Sequence, residues 1–159
     1  MEKQSQLPAQ KPLVHWFFGA TGTGKSKLAN DQSKEKYGDD VWRCMFNDQW
    51  YDGYIGQQGA IFDDVRPGTF KFDTLLKLLD QYKLVVPIKG GFTRWAPKEI
   101  WITAPAEPRQ LYRNYQTQEP YEGIEQLERR IEDCREFQRR GSTYWNTKHD
   151  FEVTEDSEE

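Results

Sequence analysis

The segment Gly19-Ala-Thr-Gly-Thr-Gly-Lys25-Ser26 constrains this chain more than any other. It fits the pattern G-x-x-x-x-G-K-[ST], and its flanks supply the context that gives the pattern meaning. Before it, Leu13-Val-His-Trp-Phe-Phe18 is a short apolar and aromatic run suited to a buried strand. After it, a helix is expected from about Lys25 to Lys36. A loop between a buried strand and a helix places backbone N–H groups and the positive end of the helix dipole at one point, which favours a phosphate. Gly19, Ala20, Thr21, Gly22, Thr23 and Gly24 then form the cradle. Lys25 reaches the β and γ oxygens, and Ser26 ligates a divalent ion, so ATP and Mg²⁺ are the expected ligands.

The rest of the chain alternates between strand and helix signals. Val41 to Phe46 and Gly59-Ala-Ile-Phe62 read as strands, the second ending on Asp63-Asp64. Residues 71 to 82 place Phe72, Leu75, Leu76 and Leu79 at helical spacing. Leu84 to Ile88 and Phe92 to Trp95 flank Lys89-Gly90-Gly91, the layout of a β-hairpin. Glu99 to Thr103 is a further buried strand, cut off by Pro105, and a last helix is expected from Ile124 to Arg139. The alternation implies an α/β, three-layer fold with a mostly parallel central sheet, a β-hairpin insertion and a C-terminal helix. The expected division is a polar lead-in over 1–12, one P-loop domain over 13–140, and an acidic, disordered tail over 141–159.

Three further features carry chemistry. Asp63 and Asp64 end an apolar strand, where one carboxylate, Asp63, suits the metal and the other, Asp64, suits a general base; an acidic turn at a strand end is the bland alternative. Arg129 and Arg130 lie on an amphipathic helix with Leu127 and Ile131 as its stripe. They are either surface charges or groups that reach a neighbouring subunit's γ-phosphate. From Lys83 through Lys98 the chain carries Lys83, Lys89, Arg94 and Lys98 and no acid. Lys89, Gly90 and Arg94, with Phe92 and Trp95 beside them, combine charge with flat apolar surface, as single-strand channels do, although a solvated hairpin has the same composition.

Composition removes several classes. The net charge is −4, but six acids and no base fall in residues 150–159, so the remainder is close to +2. A nucleic-acid partner is therefore compatible with the charge. No apolar run is long enough for a bilayer, so no membrane partner is expected. Cys44 and Cys134 are far apart and have no CxxC partner, which suggests neither a disulfide framework nor a metal site.

Taken in order, Val14 to Ser26, Trp50-Tyr-Asp-Gly-Tyr54, Ile61-Phe-Asp-Asp64, Ile88-Lys-Gly-Gly91, Ile100-Trp-Ile-Thr103 and Gln126-Leu-Glu-Arg-Arg-Ile131 resemble the helicase domain of circovirus-like replication-initiator proteins. The likeness spans about residues 11 to 135. It implies a superfamily 3 helicase of the AAA+ class, a homo-hexameric ring acting on single-stranded DNA during rolling-circle replication of small viral genomes. It also implies an intracellular site of action, the host nucleus. Under this resemblance Lys25 and Ser26 clamp the nucleotide, Asp63 and Asp64 form the second acidic motif, Lys89 contacts DNA from a pore hairpin, and Arg129 or Arg130 is a finger on the adjacent subunit.

Two departures qualify the resemblance. Many members end the strand corresponding to Ile100–Thr103 with Ser-Asn, a γ-phosphate sensor, where this chain has Ala104-Pro105, so sensing falls to Thr103 or to another polar group, or is weakened. Initiators of this type also begin with a nicking domain bearing His-x-His and a nucleophilic Tyr, and nothing similar precedes residue 13, so no nicking activity is expected. RNA in place of DNA and a monomeric P-loop kinase of a small molecule are the competing readings.

Overall fold

The computed structural model describes residues 11–44, 47, 49–138, 141–146 and 151–156, the last two segments as backbone alone. Strand β1 (Leu13–Gly19) turns Val14, Trp16 and Phe18 to one side and Phe17 to the other, all buried. A strand apolar on both sides must be covered on both faces, and β1 accordingly lies inside the sheet. It pairs in parallel with β6 (Glu99–Ala104) on one side and β7 (Asp133–Gln138) on the other. Beyond β6 follow β3 (Gly59–Phe62) and β2 (Val41–Cys44), also parallel. Beyond β7 follow the antiparallel strands β8 (Gly141–Asn146) and β9 (Phe151–Asp156). The order is β2-β3-β6-β1-β7-β8-β9, so the mostly parallel α/β architecture expected from the alternation is the one observed.

Helix α1 (Lys25–Tyr37) covers one face, setting Leu28, Ala29 and Tyr37 against Phe17, Ile61, Trp101 and Phe137. The opposite face carries the larger core. There α2 (Phe72–Leu78) and α4 (Ile124–Arg130) pack with the hairpin of β4 (Leu84–Ile88) and β5 (Gly91–Trp95). A short helix, α3 (Pro108–Leu111), follows β6. Trp42, Tyr51, Tyr54, Phe62 and Trp95 form one ring cluster, with centroids 4.8–6.0 Å apart. Such contacts add to the apolar area already buried and fix the hairpin to the sheet.

Several boundaries differ from expectation. The helix predicted from Ile124 to Arg139 ends at Arg130, because Ile131 is extended and the Glu132 N–H donates to the Val14 carbonyl at 2.9 Å, opening the β7 ladder. Parallel pairing with a distant strand overrides the local helical spacing of Ile131 and Cys134. Helix α2 stops at Leu78, short of the predicted Tyr82. Strands β8 and β9 occupy most of the segment predicted as a disordered acidic tail. Residues 1–10 of the lead-in, together with Met45 and Phe46 of the predicted second strand, lie outside the described residues. Among the described residues no helix is long and apolar enough to cross a membrane.

Candidate nucleotide site and hairpin surface

The loop from Gly19 to Gly24 leaves the carboxyl end of β1 and enters α1. Gly19 has φ 148°, and a Cβ there would lie 2.4 Å from the Phe137 carbonyl oxygen of β7, so this position admits glycine alone. Gly22 and Gly24 have φ 82° and 96°, left-handed values that favour glycine, and open space surrounds both. The Thr23 hydroxyl donates to the Ala20 carbonyl at 2.7 Å, which closes the loop on itself, and Thr23 is buried. Ala20 and Thr21 are exposed on its rim. Gly24 caps α1 without any side-chain hydrogen bond, and no acid sits in the first turn. The first N–H groups of α1 are thus left for a ligand, and the helix dipole favours an anion there.

Lys25 lies at this mouth, its ammonium 3.4 Å from the Ala20 carbonyl. Burial lowers its pKa below the ordinary 10.5; Asp64 and Asp63 oppose that shift, while Arg66 adds to it. A half-desolvated ammonium between two carboxylates and an arginine is well suited to trade its surroundings for phosphate oxygens.

Asp63 is the junction of the site. The Ser26 hydroxyl donates to its Oδ1 at 3.2 Å, and so does the Thr103 hydroxyl at 3.1 Å. A serine hydroxyl and a carboxylate at this separation are the hard oxygen donors that Mg²⁺ takes, and both come from rigid elements, so the donor set fits the ion. Asp64 has the left-handed φ of 55°, and its N–H donates to the Thr103 hydroxyl at 2.8 Å. Thr103 is 2 % exposed, and its hydroxyl serves both acids. It therefore aims the acid pair from behind.

Arg43 was not among the sequence candidates. From β2 its guanidinium bonds Asp63 and, on α1, Asn30, tying the metal-side carboxylate to the phosphate-side helix. The signal was the alternation of Val41-Trp-Arg-Cys44, with Trp42 and Cys44 buried and Arg43 between them on the α1 side. Asp64 is likewise paired with an arginine outside the expected site residues, Arg66, at 3.1 Å.

The two arginines of α4 separate clearly. Both lie in its last turn. Arg130 is held by Asp80 at 3.1 Å and by the Gln126 carbonyl at 2.6 Å, with its side chain 20 % exposed, so it packs inward and is not a free surface charge. Arg129 is exposed. The P-loop, Asp63, Asp64 and Thr103 converge at the carboxyl ends of β1, β3 and β6, whereas Arg129 and Arg130 lie on α4 and, among the described residues, make no hydrogen bond or ion pair with them.

The hairpin turn Lys89-Gly90 is exposed, with Gly90 at φ 85°. The Lys89 N–H donates to Asp52 Oδ1 at 2.6 Å, the Tyr51 N–H donates to the Pro87 carbonyl at 2.9 Å, and the Trp42 indole donates to the Asp52 carbonyl at 2.9 Å. Of Trp50-Tyr-Asp-Gly-Tyr54 only Tyr51 and Tyr54 are buried; Asp52 clamps the turn and Trp50 stays 57 % exposed. Pro87 and Phe92 are register partners, as are Val85 and Arg94, so Phe92 and Arg94 lie on the hairpin surface turned away from buried Val86 and Trp95. Phe92 is 74 % exposed. Lys89, Arg94, Phe92 and Trp50 thus give one region charge and ring faces together.

Residues 15–104 match the family model described as RNA helicase. The chain is 36 % identical over 105 residues to the replication-associated protein of human associated cyclovirus 1, covering 65 % of this chain and 37 % of that protein. It is 36 % identical over 104 residues to that of goose circovirus (65 % and 33 %), and 36 % identical over 121 residues to that of porcine circovirus 1 (76 % and 36 %). The chain spans about a third of the length of these relatives.

Proposed function

The chain belongs to the RNA helicase family, and on that premise we propose that it is the ATP-hydrolysing motor of a viral-type replication initiator, moving along single-stranded DNA. The observation that carries the proposal is the placing of the uncapped start of α1, Lys25, Ser26 and Asp63 at one mouth, with Asp64 beside them. Ser26 and Asp63 would hold Mg²⁺, which when bound neutralises charge on the β and γ oxygens. Lys25 and the amides of Gly22 to Ser26 orient the triphosphate, and Asp64 polarises the attacking water.

Arg129 is the group for a neighbouring subunit's γ-phosphate, because Arg130 is occupied by Asp80 and Gln126. Two arginines of one helix end are thereby divided into a structural one and an available one. A finger supplied in trans requires a ring, and six copies is the number we propose. Lys89, Gly90 and Arg94 contact the strand's phosphates at the hairpin, with Lys89 held in place by Asp52.

The decisive experiment is ATP turnover read across a protein dilution series, with and without a single strand. Turnover per chain should rise with protein concentration and with added strand; independence from both would remove the ring and the motor. Because the matching family is described as RNA helicase, the strand is supplied as DNA and as RNA of one sequence. Stimulation by RNA alone would transfer the reading to an RNA motor.

A further inference from the structure

Arg66 stands at the mouth of the phosphate loop and has no part in the reading above. Its Nε donates to both carboxylate oxygens of Asp64, at 3.1 and 3.2 Å, while its two terminal amino groups have no hydrogen-bond partner among the described residues. The main chain is anchored: the Arg66 carbonyl accepts from the Phe70 N–H at 2.8 Å and from the Thr69 hydroxyl at 3.1 Å. The head is open, with the side chain 55 % exposed and that of Asp64 64 % exposed. Arg66 is also near enough for its charge to act on Lys25. Ala104 and Pro105, which follow Thr103 beside the acids, carry no side-chain donor, and Arg43 is held by Asp63 and Asn30.

We propose that Arg66 is the second cation of the triphosphate site: when ATP binds, its guanidinium leaves Asp64 for the γ-phosphate, and the same movement frees the Asp64 carboxylate. The inference rests on the nucleotide reading given above. An exposed ion pair is held weakly in water, so exchange is easy. A phosphate offers a guanidinium two coplanar oxygens, and the free terminal amino groups match that geometry. The exchange distinguishes ATP from ADP, because a ligand shifts a conformation only through differential affinity, and only ATP carries the γ-phosphate. Asp64 is thereby paired while the site holds ADP and released once the triphosphate is in place.

The test is calorimetric titration of the full chain with Mg²⁺-ADP and with Mg²⁺-AMP-PNP. Arg66→Ala should weaken AMP-PNP by about tenfold or more, the scale of losing charge-assisted hydrogen bonds, and leave ADP affinity unchanged. Arg66→Lys should recover part of the loss, and kcat for ATP should fall in Arg66→Ala by more than KM rises. Equal weakening of both nucleotides, or of neither, would overturn the proposal, since an arginine that merely steadies Asp64 has no means to distinguish them. Arg66→Gln repeats the measurement should the alanine variant not fold. Wild-type protein that binds neither nucleotide removes the nucleotide reading and this inference together. Wild-type protein that binds both, with Arg66→Ala indifferent, removes this inference alone.

Discussion

Strand β1 carries charge at both ends, and the two ends treat it differently. At the carboxyl end Lys25 is half-buried, Asp64 and Arg66 face solvent, and the first amides of α1 have no side-chain cap. At the amino end His15, Glu99 and Asp133 are 8, 2 and 9 % exposed, and His15 bridges the two acids. His15 Nδ1 is 2.6 Å from Asp133 Oδ2, and its Nε2 is 2.6 Å from Glu99 Oε2. Glu99 also accepts from Lys36 at 2.8 Å and from the Tyr37 hydroxyl at 2.9 Å, and the His15 ring stacks on Trp101. Charge closed on itself serves the fold; charge left open serves a ligand.

Substitutions at the two ends should therefore fail in different ways. The largest effect belongs to the open end. Lys25→Ala should lower ATP turnover by roughly a thousandfold, as removal of a central electrostatic contact does, and leave the melting temperature within a few degrees of wild type. A variant that unfolded instead would break the contrast. Next comes the closed end, where Glu99→Ala leaves His15 and Lys36 without their shared carboxylate. Urea unfolding should show a loss of about 3–5 kcal/mol, the usual result of removing one member of a buried charged group. Nucleotide affinity of the folded fraction should be unchanged.

The pH dependence sharpens the same point. Burial alone would lower the pKa of His15, but the hydrogen bonds it donates to Asp133 and Glu99 outweigh it and hold the value above the ordinary 6.5. Burial would raise Glu99, but hydrogen bonds from His15, Lys36 and Tyr37 hold it below 4.5. The stability from His15 is complete below its unfolded value and is lost as pH rises through the folded one. That from Glu99 is complete above its unfolded value and is lost as pH falls. Urea midpoints should thus decline as pH rises above 6.5, and His15→Gln should flatten that decline. The smallest effect is at the hairpin. Lys89→Ala should weaken single-strand binding and reduce the slope of log affinity against log salt by about 0.7, one phosphate contact. A slope unchanged by the substitution would take Lys89 off the strand.

What the sequence made legible follows the same division. The phosphate loop, the strand feeding it, the acid pair and the hairpin are set by short-range patterns, and glycine, lysine and aspartate stand there for local reasons. The closed end could not be read, because His15, Glu99 and Asp133 meet only through the parallel pairing of β1 with β6 and β7. The same pairing hid β7 behind a helical spacing that Ile124, Leu127 and Ile131 obey and Phe137 does not. Arg43 and Arg66 were passed over because the partners that give them meaning, Asp63 with Asn30 and Asp64, are defined by the site and not by spacing. Asp52 was hidden for the opposite reason: its aromatic neighbours suggested packing, while its carboxylate holds a turn far along the chain.

The most direct measurement is an amide NMR titration of the chain with Mg²⁺-AMP-PNP. The largest saturable shifts should fall on the N–H groups of Gly22, Thr23, Gly24, Lys25 and Ser26, with His15, Glu99 and Asp133 unmoved. Binding that shifts other amides and leaves those five in place would contradict the phosphate cradle and the function built on it.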